Sequence, residues 1–331
     1  MDSSDLRRRA LLGMAVTSLP LVAAAKMTPL PPPNPAVTHY GTEPPLTAPT
    51  GWRAGYFEDF NSWNIGGKDA SGNPFATTDD HPGSQWQLVP LPGTYCINRA
   101  SEQQWFCSPQ ATPGINPFSQ TGSVLTITAS VNPGIEASLP KGQLASYLPG
   151  LFKSYVSEGM QNTPFASGAI NTSNFLSAKY GYFELRCKQP AGTGMWSAFW
   201  TIPNPSEFDI FESVGGQNRR MAFTAHYNPG TGAVGNSSNH FDPDLGADTT
   251  AGFHTYGGLW TPHYLAWYFD GKLVFKAPLS LNGVGGFQAN PMYLIINLAL
   301  GTGMGSSRAP ASLLPKTLEI DWFRYSVLGP K

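Results

Sequence analysis

The chain has 331 residues, enough to bury a sizeable core, with 12% charged residues, 12% aromatics, 36 glycines and 31 prolines. That mix suits a turn-rich β protein with a neutral polar surface. The formal net charge is −1, and the run of basic residues is confined to Arg7-Arg8-Arg9; this excludes nucleic acid as a partner, because phosphate binding needs clustered positive charge, and disfavours a strongly anionic polymer.

In chain order, residues 1–25 read as an export signal. Arg7-Arg8-Arg9 form its basic region, residues 10–22 an apolar core too short to span a bilayer, and Ala23-Ala24-Ala25 a small-residue cleavage site. The arginines followed by Ala10-Leu11-Leu12 are similar to a bacterial twin-arginine signal, the plainer alternatives being an ordinary secretory signal or a membrane anchor. A secreted or periplasmic location in a bacterium is expected, with no membrane contact after signal removal. Residues 26–50 carry eight prolines and read as an extended linker without a core.

From Gly51 to Lys331 one domain is expected. Short β-like runs recur at 123–129, 180–188, 195–202, 207–213, 221–227, 254–260, 264–269, 292–300 and 318–327, separated by Gly, Pro, Asn and Asp clusters. This spacing predicts an all-β sandwich or barrel. Residues 143–157 hold a short helix or a long loop, and no long segment carries a helical apolar stripe. Asp270-Gly271, between 264–269 and 272–275, is a strong hairpin signal. Three cysteines suit an oxidising compartment without demanding it: Cys96 and Cys107 are placed to close a short loop, while Cys187 reads as a buried free thiol.

The most informative stretch is Glu207-Phe208-Asp209-Ile210-Phe211-Glu212, three carboxylates in what otherwise looks like a strand core. On a regular strand Glu207 and Asp209 share a face and Glu212 points away from them. A β-bulge around Ile210-Phe211 adds one residue and returns Glu212 to their side. The two glutamates then stand about 13 Å apart at Cα, and side chains leaning inward bring the carboxyls to about 5 Å, the separation of a retaining glycosidase pair. One ionised carboxylate would attack an anomeric carbon and one protonated carboxyl would serve the leaving oxygen. Like-charge repulsion can hold that second proton at neutral pH. The competing readings are a solvated charged face and a calcium-binding cluster; the large apolar residues in between argue against a solvated face. No His/Cys spacing suggests zinc, no Gly-x-Ser-x-Gly elbow occurs, and Gly301-Thr302-Gly303-Met304-Gly305 lacks the spacing and context of a nucleotide loop.

The Glu-x-Asp-x-x-Glu pattern resembles the catalytic signature of glycoside hydrolase family 16, bulged subtype, as in laminarinase-like endo-β-glycanases. Its surroundings resemble the family as well: Tyr180-Gly181-Tyr182-Phe183-Glu184-Leu185-Arg186-Cys187-Lys188 and Gly194-Met195-Trp196-Ser197-Ala198-Phe199-Trp200 before it, and Ile296-Asn297-Leu298-Ala299-Leu300-Gly301 and Glu319-Ile320-Asp321-Trp322-Phe323-Arg324-Tyr325 after it. The resemblance implies a jelly-roll β-sandwich of two antiparallel sheets with a concave substrate cleft. It implies Glu207 as nucleophile, Asp209 as its assistant and Glu212 as acid/base. It also implies substrate contacts at Trp196, as a sugar-stacking ring, and at Glu184, Arg186, His226 and Asn297. Asp321 matches a structural calcium ligand of some members; no cofactor is otherwise required. Each has a plainer reading: Glu184 and Arg186 as a surface pair, Trp196 and Trp200 as core aromatics, His226 as a satisfied core histidine. Ala299 and Pro205 stand where the lichenase branch has tryptophans, which argues against a strict mixed-linkage lichenase.

The resemblance therefore implies a monomer that hydrolyses a β-linked polysaccharide: β-1,3- or mixed β-1,3-1,4-glucan, galactan or a bacterial exopolysaccharide. A transglycosylase on the same scaffold and a non-catalytic carbohydrate-binding sandwich are the alternatives, and the intact glutamate pair argues against the second.

Overall fold

The computed structural model describes residues 50–89, 101–110, 112–132, 165–202, 206–227, 237–278, 290–304 and 307–328. The export signal, the linker apart from Thr50, Cys96, Pro205 and segment 143–157 lie outside them. Nineteen strands occur among the described residues: β1 (Trp52–Glu58), β2 (Asn64–Lys68), β3 (Pro74–Thr77), β4 (Trp86–Gln87), β5 (Gln104–Phe106), β6 (Phe118–Thr121), β7 (Val124–Val131), β8 (Phe165–Ser167), β9 (Ala169–Asn171), β10 (Gly181–Lys188), β11 (Met195–Ile202), β12 (Glu207–Ser213), β13 (Met221–Tyr227), β14 (Ser237–Phe241), β15 (His254–Trp260), β16 (Tyr264–Phe269), β17 (Lys272–Pro278), β18 (Tyr293–Leu300) and β19 (Lys316–Leu328). Helix among these residues is limited to a 3-10 turn, Ala311–Leu313.

The strands form two sheets. A ten-stranded sheet runs β17-β16-β15-β10-β19-β7-β8-β5, with β1 beside β19 and β6 beside β7; a nine-stranded sheet runs β14-β13-β12-β11-β18-β9-β4-β3-β2. Pairing is antiparallel except between β5 and β8. Period-2 alternation explains why they stack. From one sheet Phe183, Leu185, Trp260 and Phe323 point inward, and from the other Phe199, Phe208, Phe211 and Leu298 meet them in one core.

The Asp270-Gly271 hairpin forms as expected. Phe269 pairs with Lys272, both turn residues have positive φ, 46° and 73°, and that geometry favours Asp-Gly. Asp270 also accepts from the Thr255 N–H at 2.9 Å and lies 2.7 Å from His254 Nδ1.

The structure corrects the expected roles of Glu184 and Arg186. Both lie on β10, in the ten-stranded sheet, with side chains on its outer face because Phe183, Leu185 and Cys187 take the core side. Glu184 is fully buried against Arg324, whose Nε and Nη2 approach Oε2 at 2.8 and 2.7 Å. Arg186 pairs with Asp321 and lies over the Phe253 ring at 5.0 Å. Neither lies on the sheet that carries Glu207; both tie β10 to β19 in the ten-stranded sheet. Cys187 is a buried free thiol as expected, and Cys107 is also free and buried; its expected partner Cys96 lies outside the described residues.

Candidate active site

Strand β12 is fully buried along its length, yet it alternates in chemistry. Phe208, Ile210 and Phe211 enter the core, and two consecutive inward residues are possible because the ladder shifts register there. Toward β13, Asp209 faces Thr224 and Glu212 faces Ala222, three steps against two; toward β11 the shift falls between Phe199 and Trp200. This is a β-bulge at Ile210-Phe211, and it sets Glu207, Asp209 and Glu212 on one outer face. A bulge leaves backbone groups unpaired. Trp267, from β16 in the opposite sheet, donates its indole N–H to the Asp209 carbonyl at 2.8 Å.

The acids are nearly closed off from solvent, Glu207 at 9%, Asp209 at 2% and Glu212 at 6% exposure. His226, directly opposite Glu207 on β13, brings Nε2 to 3.2 Å from Asp209 Oδ2. Trp196 donates its indole N–H to Glu212 Oε1 at 2.9 Å. Burial first, and then the neighbouring charge of Asp209, push the Glu207 carboxyl up to about 8, against the pull of His226; a hydrogen bond with Asp209 adds to the rise. Glu207 Oε2 is buried without a hydrogen-bond partner. In the free protein, then, a proton is held on the Glu207–Asp209 side at neutral pH.

Of the other expected site residues, the structure brings three to this face. His226 and Trp196 touch the acids as described. Asn297 is opposite Ala198 on β18 and accepts from the Trp200 indole at 2.8 Å. The expected stacking role of Trp196 does not fit its surroundings. Its ring is packed by Phe106, Ala169, Ala299 and Met304, and a Cβ at Gly303 would collide with it. With little of its face open, its free function is the N–H that holds Glu212. Trp267 and Thr224 were not singled out from sequence. Trp267 lies 58 residues from Asp209, and no local pattern links them.

The calcium expectation at Asp321 does not fit. A calcium ion takes 6–8 oxygens, whereas the Asp321 carboxylate is paired with the Arg186 guanidinium. Among the described residues, the group able to hold a metal is instead Glu207, Asp209 and His226.

The chain is similar to known proteins. ExsH, an endo-1,3-1,4-beta-glycanase of Rhizobium meliloti (strain 1021), is 32% identical over 218 residues, covering 64% of this chain and 40% of the relative. EglC of the same strain, also an endo-1,3-1,4-beta-glycanase, is 31% identical over 229 residues, covering 67% and 43%. The chain thus spans about two-fifths of the length of these curated relatives. Among solved structures, SCLam, a non-specific endo-beta-1,3(4)-glucanase, superposes with a TM-score of 0.61 at 22% identity over 86% of this chain and 94% of its own. The laminarinase catalytic domain of Thermotoga petrophila RKU-1 gives 0.59 at 21% over 84% and 99%; these likenesses show the jelly-roll fold. Residues 125–324 match the profile of the glycosyl hydrolases family 16, well over half of the chain, and the chain belongs to that family.

Proposed function

We propose that the protein is a retaining endo-β-glycanase acting on a β-1,3- or mixed β-1,3-1,4-glucan, or a bacterial exopolysaccharide of like linkage. The observation that carries it is the β12 bulge, which turns Glu207, Asp209 and Glu212 to one buried face. The names of the Rhizobium meliloti relatives support the substrate class. In the first displacement the Glu207 carboxylate attacks the anomeric carbon, the glycosidic C–O bond breaks, and Glu212 gives its proton to the departing oxygen. In the second, Glu212 takes a proton from water, whose oxygen displaces Glu207 from the same carbon. The proton on the Glu207–Asp209 side of the free enzyme must leave Glu207 before attack, and Asp209, hydrogen-bonded to Glu207 and paired with His226, is placed to take it.

The N-terminal basic, apolar and small-residue pattern supports export, which N-terminal sequencing of protein recovered outside the cytoplasm would test. For the enzyme, a polysaccharide panel with time-resolved product analysis is the primary test. The β-anomer should appear first, since two inversions restore the configuration; an initial α-anomer would overturn the double displacement. Products longer than the substrate would point to transglycosylation, and binding without cleavage to a carbohydrate-binding module.

A second reading exchanges the two glutamates, and it is favoured by the raised Glu207 carboxyl and the N–H held on Glu212. Azide separates the two. Under our assignment Glu207→Ala loses turnover of natural substrate and, with an activated β-glycoside, yields the α-azide. Glu212→Ala loses much less on an aryl glycoside with a good leaving group than on natural substrate, and with added azide yields the β-azide. A β-azide from Glu207→Ala would reverse the roles.

A further inference from the structure

We infer that the carboxylate cluster is also a binding site for a divalent transition-metal ion of the zinc class, with Glu207, Asp209 and His226 as ligands, and that the ion inhibits by occupying the nucleophile. The inhibition rests on the reading of Glu207 as nucleophile; the binding does not.

The ligands come from two neighbouring strands, so sequence spacing does not reveal them. Glu207 and His226 are a directly opposed pair across β12 and β13, and Asp209 stands one face-step along. One donor atom from each lies within 4.8 Å of the others, and His226 Nε2 is already 3.2 Å from Asp209 Oδ2. Zinc with bonds of about 2.0–2.2 Å sets its donors about 3.4 Å apart, so donors within 4.8 Å of one another need to close by at most about 1.4 Å around the ion. An independent feature points to a ligand: Glu207 Oε2 is buried and makes no hydrogen bond within the protein. A buried carboxylate oxygen without a partner is costly, and a cation relieves that cost.

The donor set chooses the metal. One imidazole nitrogen with two carboxylate oxygens suits zinc or copper, while calcium and magnesium prefer more oxygen ligands and no imidazole. Three protein ligands leave a fourth position open. A glycan whose anomeric carbon must reach Glu207 needs the same volume, so metal and substrate exclude one another.

The test is calorimetric titration of zinc ion alone into the full chain, with Glu207→Gln, His226→Asn and, as a control at the exposed hairpin, His254→Asn, each checked for folding by thermal unfolding. One saturable site is expected, weakened about tenfold or more in both Glu207→Gln and His226→Asn, intact in His254→Asn, and competed by a β-1,3-glucan oligosaccharide. Zinc should raise KM and leave kcat unchanged. Absence of saturable binding, or binding indifferent to Glu207→Gln and His226→Asn, would overturn the site; Glu207→Gln nearly preserves shape and decides the matter if His226→Asn misfolds. A chain that binds zinc in this way yet cleaves no glucan sinks the hydrolase reading and leaves the metal site, while cleavage without zinc binding does the opposite.

Discussion

At the site the decisive side chains are an indole and an imidazole, each aimed at one carboxylate. Trp196 reaches the face of the three acids, but its ring is enclosed by Phe106, Ala299 and Met304 and its N–H meets Glu212. Trp196→Phe should therefore keep the packing and remove one donor to the charged form of Glu212. If Glu212 is the acid, loss of the N–H that fixes its carboxyl should lower kcat about tenfold or more, with KM nearly constant. A rise in KM with kcat unchanged would return Trp196 to a stacking role. The three acids were legible from sequence because a strand core rarely holds so many carboxylates. The distribution of their proton was not legible, since it depends on burial and on His226, which belongs to the next strand.

At the scale of strands, the long alternating runs were legible: β11, β12, β13, β15 and β16 have the same bounds as the sequence-based expectation. The strands missed are mostly short or polar. β4 has two residues and β9 three, and Gln87 and Asn171 are buried polar groups that break the apolar signature. Glu184 was misplaced for a different reason: alternation says which residues share a face, but not which of two sheets a strand joins. Its pairing with Arg324 suggests an experiment, since losing one partner of a buried ion pair strands the other. Arg324→Met should destabilise the fold by about 3–5 kcal/mol, and Glu184→Leu added to it should recover most of that. Denaturant unfolding measures both, and an Arg324→Met variant as stable as the parent would show that the pair does little. The bulge has its own strut in Trp267, whose N–H serves the Asp209 carbonyl across the core. Trp267→Phe leaves that carbonyl unsatisfied, at a cost of about 1–3 kcal/mol. It should also lower kcat more than it raises KM, because the carboxylates lose their setting while the rest of the cleft is untouched. Loss of stability with full kcat would mean that the bulge holds itself.

For the whole molecule, two buried carboxyls set how stability follows pH. Glu207 is raised to about 8 by burial and by Asp209. Glu58, the last residue of β1, is raised by burial to about 7 although Thr78, Phe60 and Tyr56 all donate to it. Both have an ordinary value of 4.5. In each case the folded chain holds the proton more tightly than the unfolded chain, so the stabilisation is complete below about pH 4.5 and fades as pH rises through 7 to 8. This is opposite in sign to the usual carboxylate, and to Asp69, whose lowered value favours the fold above its unfolded pKa. Between pH 5 and 8 the two glutamates together should cost about 6 kcal/mol, or roughly 10–25 °C in Tm. Thermal unfolding across that range should show a steady fall. Glu207→Gln should flatten the slope and raise Tm at pH 8 while removing turnover, because the amide keeps the shape and carries no charge to bury. Glu58→Gln should flatten the remainder with Glu207, Asp209 and Glu212 intact. A Tm that climbs from pH 5 to 8, or a slope that neither substitution changes, would mean that these carboxyls are ionised in the folded protein and that the proton assigned to the Glu207–Asp209 pair is not there.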